Sequence, residues 1–168
     1  MNADTRKNLG FCTALFLAAV LQAVYADALR IQAARPDFLT AAAVLCSLFC
    51  DANGGAAVGF FAGLLTAVLA APPHAGYGSL IVSRAATCSV VGWLDDRMFR
   101  DSYLIAVLMV AVGTAASGAL FFIFDPEIHF SYWAKSLAGT ILYNAIISIP
   151  IYAFIRWLIG EGHKGRRR

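Results

Sequence analysis

Six long blocks almost free of charge, divided by short polar breaks, limit what this 168-residue chain can become. They cover about residues 9–26, 37–50, 56–71, 78–94, 103–124 and 137–159. Their apolar residues come in runs, without the polar face that a surface helix of a soluble domain would keep. Hydrophobic residues make up 60% of the chain and charged ones 14%, with a mean hydropathy of +0.71, where ordinary domains carry roughly 25% charge. A soluble domain of this length buries only about 70% of the surface its unfolded chain exposes, so too much apolar surface would stay wet. Lipid is therefore the expected solvent. The expected fold is all-α, a single transmembrane domain built as a bundle of about six helices, because a helix satisfies its own backbone in hydrocarbon.

A hydrocarbon core ~30 Å thick takes about 20 helical residues. The fifth and sixth blocks meet that length and the first comes close. The second is short even if Pro36 serves as its first helical residue, a position where proline is well tolerated. It is expected to thin the bilayer locally or to sit inside the bundle without spanning fully. Arg35-Pro36-Asp37 closes the first loop, and Asp51-Ala52-Asn53-Gly54-Gly55 predicts a tight turn. Pro72-Pro73-His74-Ala75-Gly76, Asp95-Asp96-Arg97 and Asp125-Pro126-Glu127 supply the other breaks.

With six spans, both termini share a face with nine lysines and arginines, against Arg30, Arg35 and Lys135 on the other. The positive-inside rule then predicts cytoplasmic termini, and Trp93, Trp133 and Trp157 fall where interfacial anchors belong. A cleaved leader is the competing reading of the first block, from Arg6, Lys7 and the small-x-small triplet Ala26-Asp27-Ala28. The run exceeds the usual 7–15 residues of a leader's apolar region, so the block is expected to stay.

The net charge of +3 gathers at the termini and one loop, with no basic stripe for nucleic acid. No catalytic residue, metal site or cofactor is expected. His74, His129 and His163 are scattered without ligand spacing, and acids such as Asp51, Asp95 and Asp96 lie at loop edges. Nucleophile-elbow, phosphate-loop and zinc-protease motifs do not occur. Cys12, Cys46, Cys50 and Cys88 lie in apolar segments and read as small packing residues.

Four features remain as candidates. Gly55, Gly59 and Gly63, four apart, form a doubled G-x-x-x-G face with Phe60 beside it, suited to close packing inside the bundle or against a partner helix. Internal packing is the simpler reading, and Gly113 with Ser117 repeats the theme more weakly. Arg84 is the lone charge well inside a block. It is either an anion, headgroup or substrate contact in a polar cavity, or a structural arginine that snorkels or pairs with a carboxylate. Asn144 and Ser148 share a face near Pro150, as glue between helices or as the lining of a polar cavity.

The order of these features resembles the rod-shape-determining protein MreD family. Arg35-Pro36-Asp37-Phe38 opens the second block, and Gly59-Phe60-Phe61-Ala62-Gly63-Leu64-Leu65 is similar to the family's G-F-x-x-G-L-L core. A Pro/Gly-rich loop follows, then a helix starting Gly78-Ser79-Leu80 and a last span ending in aromatic and basic residues. Where members commonly place an aspartate after G-L-L, this chain has Thr66 and Ala67. The resemblance implies a non-enzymatic component of the bacterial elongation machinery in the cytoplasmic (inner) membrane. It would bind an MreC-like bitopic protein and help link a RodA-like glycosyltransferase and a class B penicillin-binding protein. The family's fold is similar to the S components of energy-coupling-factor transporters, so a vitamin-binding S component is the alternative. A small lipid-modifying enzyme is a third, which would need paired acids or a histidine at membrane depth.

Overall fold

The computed structural model describes residues 3–70, 76–94, 102–124, 126 and 129–160. The apolar blocks are helices: α1 (Ala3–Tyr25), α2 (Phe38–Ser47), α3 (Ala52–Leu69), α4 (Tyr77–Trp93), α5 (Tyr103–Phe124) and α6 (Phe130–Ile159). The chain is an all-α polytopic membrane protein. Among the described residues, α1 from Thr5, α3, α5 and α6 are long and apolar enough to cross a bilayer.

Aspartates open two of these helices in the same way. Asp37 and Asp51 are N-caps, and their carboxylates accept from the Thr40 and Gly54 amides at 2.9 and 3.0 Å. Two expectations change as a result. Pro36 lies outside α2, ahead of the cap, and Asn53-Gly54-Gly55 forms the first turn of α3 where a tight turn was predicted. At the other end, α6 begins at Phe130, well before residue 137, and so takes Lys135 into a helix about 45 Å long. It continues through Pro150 and stops at Gly160, whose φ of 78° gives a left-handed C-cap. The α5 block coincides with its helix. The breaks at 72–75, 95–97, 125 and 127 lie outside the described residues, as do His74 and His163.

The ten residues of α2 are all buried. At 1.5 Å per residue they reach about 15 Å, half a hydrocarbon core, so α2 is the bundle's axis and not a full span. The other five helices pack around it. α1 turns Phe11, Ala14, Leu15 and Ala18 inward and leaves Phe16, Val20 and Val24 exposed. Tyr152 of α6 stacks on Phe49 and meets Tyr103 edge-on. The start of α1 and the end of α6 lie together, where Arg6 Nε donates to the Leu158 carbonyl at 3.4 Å. Outward-facing Val68, Leu104, Ile123, Leu142 and Ile146 give the bundle an apolar exterior suited to lipid.

Candidate functional site

A helix that begins inside an apolar bundle must find partners for its first amides, since no water is there to take them. α2 receives them from three directions. Gln22 of α1 accepts from the Phe38 amide at 2.8 Å, Asn144 of α6 accepts from the Asp37 amide at 2.9 Å, and Asp37 caps Thr40. Asn144 also donates to Thr114 of α5 at 2.9 Å, so one fully buried amide joins α2, α5 and α6.

The approach to this helix is a non-helical strap that leaves the Ile31–Ala34 turn and descends along α6. Ser136 donates to the Ala33 carbonyl at 2.8 Å, Thr140 to the Arg35 carbonyl at 3.1 Å, and the Asn144 contact with Asp37 follows. Two strap residues advance about as far as one helical turn, so polar side chains four apart on α6 meet alternate strap residues. Non-helical backbone at this depth is tolerated because the protein satisfies it. Tyr143 adds a bond to the Leu29 carbonyl at 2.8 Å.

Arg84 completes the site. Its Nη2 pairs with Asp37 at 2.7 Å and its Nε donates to the Thr40 hydroxyl at 2.7 Å, while that hydroxyl donates to Asp37 at 2.7 Å. An arginine at the centre of a span costs roughly 2.5–3.5 kcal/mol, and this triangle offsets that cost. Nη1 has no acceptor among the described residues, and neither has Thr87 Oγ1, three residues further along α4. The height of Arg84 is set from its other side by the glycines of α3. A methyl group on Gly59 would run into the Arg84 carbonyl, one on Gly55 into the Cys88 carbonyl, and one on Gly63 would stand 2.6 Å from Ile81 Cα. Glycine is required here for close backbone approach.

Beside the pair lies a cavity of about 400 Å³. Arg84, Asp37, Thr40 and Thr114 line it, and Phe121, Tyr132 and Trp133 form an aromatic wall. These aromatics sit at the end of α5 and the start of α6, so the cavity belongs to the face opposite the neighbouring ends of α1 and α6.

The predicted residues therefore separate. Arg35, Asp37 and Arg84 line the cavity, while buried Pro36 offers its carbonyl to Gln22 at 3.4 Å. Asn144 stands behind the lining as a strut, and Ser148 bonds to Ala145 within its own helix, so neither lines the cavity. Gly55, Gly59 and Gly63 are spent on α4, and Phe60 leaves their face, 46% exposed, because one residue along a helix turns about 100°. Gly113 packs on Val44, and Ser117 lines the cavity. None of the four cysteines is in a disulfide, and no group of three or more potential ligands could hold a metal among the described residues.

Gln22, Thr40, Ser136 and Thr140 were not anticipated. Each had a signal. Gln22 is the only amide side chain in its block, and residues 136, 140, 144 and 148 are all polar at four-residue spacing. Among known proteins, no family, no curated protein and no solved structure matches this chain.

Proposed function

We propose that this protein is a non-enzymatic scaffold of the bacterial cell-elongation machinery, acting as the MreD family does. It sits in the cytoplasmic membrane with both termini in the cytoplasm, binds an MreC-like bitopic protein and helps organise RodA-like and class B penicillin-binding partners. The observation that carries the reading is the two-sided build of α3, the helix holding the family-like G-F-x-x-G-L-L stretch. Its glycines lock against α4, and its opposite side presents Phe60, Phe61 and Leu64 outward, with the two rings edge to face at 5.7 Å. A rigidly held aromatic ridge suits a partner's single transmembrane helix, where packing drives association in lipid. The Arg35-Pro36-Asp37 segment adds support, because Thr140 and Gln22 hold its Arg35 and Pro36 carbonyls and its Asp37 pairs with Arg84.

The test is a pull-down of the tagged chain from a bacterial membrane in mild detergent. Recovery of a bitopic coiled-coil protein with cell-wall synthases, lost in Phe60→Ala/Phe61→Ala at normal expression, is the expected result. Recovery of transporter ATPases instead overturns it. That outcome would favour the second reading, a substrate-binding S component, which the cavity opposite the neighbouring helix ends supports.

A further inference from the structure

The cavity has a chemistry that the scaffold role does not use. Among the described residues, three arginines line it, Arg30, Arg35 and Arg84, against one aspartate, Asp37. Arg84 is 5% exposed and paired through Nη2 and Nε, yet its Nη1 has no acceptor among the described residues. Near the rim, Arg30 is held by the Gln32 carbonyl at 3.1 Å and reaches the Tyr132 hydroxyl at 3.5 Å. Arg35 faces Asp27 at 3.6 Å with both side chains largely exposed, a pairing that water screens and that leaves Arg35 available.

We infer that this cavity binds a phosphate monoester carried on an apolar body. The Asp37 carboxylate already balances one of the three guanidinium groups. A lining this rich in guanidinium donors suits the roughly −1.5 to −2 charge and several oxygens of a phosphate monoester better than the −1 of a carboxylate. Arginine's planar donors fit phosphate oxygens, and the cavity-lining Arg84 keeps one nitrogen, Nη1, without an acceptor among the described residues. The aromatic side chains Phe121, Tyr132 and Trp133 supply the apolar wall. At about 400 Å³ the space holds a headgroup or a small aromatic phosphate and not a large nucleotide conjugate. Depth agrees with this. Arg84 lies seven residues into α4, about 10 Å from its start, within reach of a phosphate entering from that face. The proposal goes beyond the scaffold role and does not rest on it; under the second reading it would name the substrate class.

The test is calorimetric titration of the full chain in a neutral detergent with phenyl phosphate, dihexanoyl phosphatidic acid, inorganic phosphate, benzoate and benzylamine. Saturable binding of phenyl phosphate or of dihexanoyl phosphatidic acid is expected. Inorganic phosphate and benzoate should bind roughly tenfold more weakly or worse, and benzylamine not at all. A response to the lipid phosphate alone assigns a headgroup as the natural ligand, and a response to phenyl phosphate assigns a soluble one. Because Arg84→Gln risks the fold, Ser117→Leu fills the cavity while leaving the Arg84–Asp37 pair in place, and Arg30→Gln/Arg35→Gln removes the rim charge. Each should weaken phosphate binding roughly tenfold or more with unfolding unchanged. No saturable binding by either phosphate ester, benzylamine or benzoate binding as tightly, or an unaffected Ser117→Leu protein overturns the proposal. The pull-down above is untouched by that failure.

Discussion

The two sides of α4 solve the same packing problem with different small residues. Towards α3 it meets Gly55, Gly59 and Gly63, and the backbones approach until no methyl group would fit. Towards α5 and α6 the small residues are Ser83, Thr114, Ser117, Ser136 and Thr140, and a cavity of about 400 Å³ remains. In lipid, association depends on how closely backbones approach and on which polar groups find partners. Glycine supplies the first without any polar atom to satisfy. Hydroxyl side chains keep the backbones apart and bring oxygens that bond to the strap, to Asn144 or to their own helix, or face the open space. One side is a seam and the other a site, and Arg84 belongs to both.

The largest expected effect comes from breaking the point where the two sides meet. Asp37→Ala strands a guanidinium that cannot lose its proton, and it removes the α2 cap. It should cost about 3 kcal/mol in a denaturant titration of the detergent-solubilised protein, within the range for breaking a buried pair. Arg84→Leu should cost less, because the remaining carboxyl can be neutralised by a proton and is 21% exposed. Insertion should survive in that variant while phosphate binding is lost.

Gly59→Leu attacks the seam alone. Overpacking against the Arg84 carbonyl should destabilise by about 2 kcal/mol, read from the same unfolding curve. A smaller loss is expected from Thr140→Ala, about 1 kcal/mol for one strap hydrogen bond. The matching change on the open side, Ser117→Leu, should move stability by less than about 0.5 kcal/mol because it grows into empty space. If Gly59→Leu and Ser117→Leu prove equally costly, the contrast between seam and site fails.

Much of the architecture was legible because hydrocarbon imposes a simple length rule. The α5 block at 103–124 needed no tertiary information, since its flanks change abruptly from apolar to polar. The start of α3 was misplaced because Asn53-Gly54-Gly55 has turn composition, and contact with Cys88 on α4 explains why Gly55 stands in a helical first turn. The start of α6 was misplaced because Lys135 was counted with a loop, whereas the helix runs on from Phe130 beyond its apolar core. The site was legible only in halves. Arg84 stood out as a charge needing relief, and Asp37 as a loop-edge acid, but 47 residues separate them and no local rule joins them. Their pairing follows from the buried, short α2, whose head is brought to the level of Arg84 by the strap along α6.

The most direct test of this account is a double-mutant cycle on Asp37→Ala and Arg84→Leu, with unfolding free energies measured in one detergent or bilayer system. A coupling of about 1.5 kcal/mol or more is predicted, with the double variant more stable than Asp37→Ala alone, because removing both charges relieves the stranded guanidinium. Strictly additive losses would show that the two side chains do not act as a pair, and the centre described here would not exist.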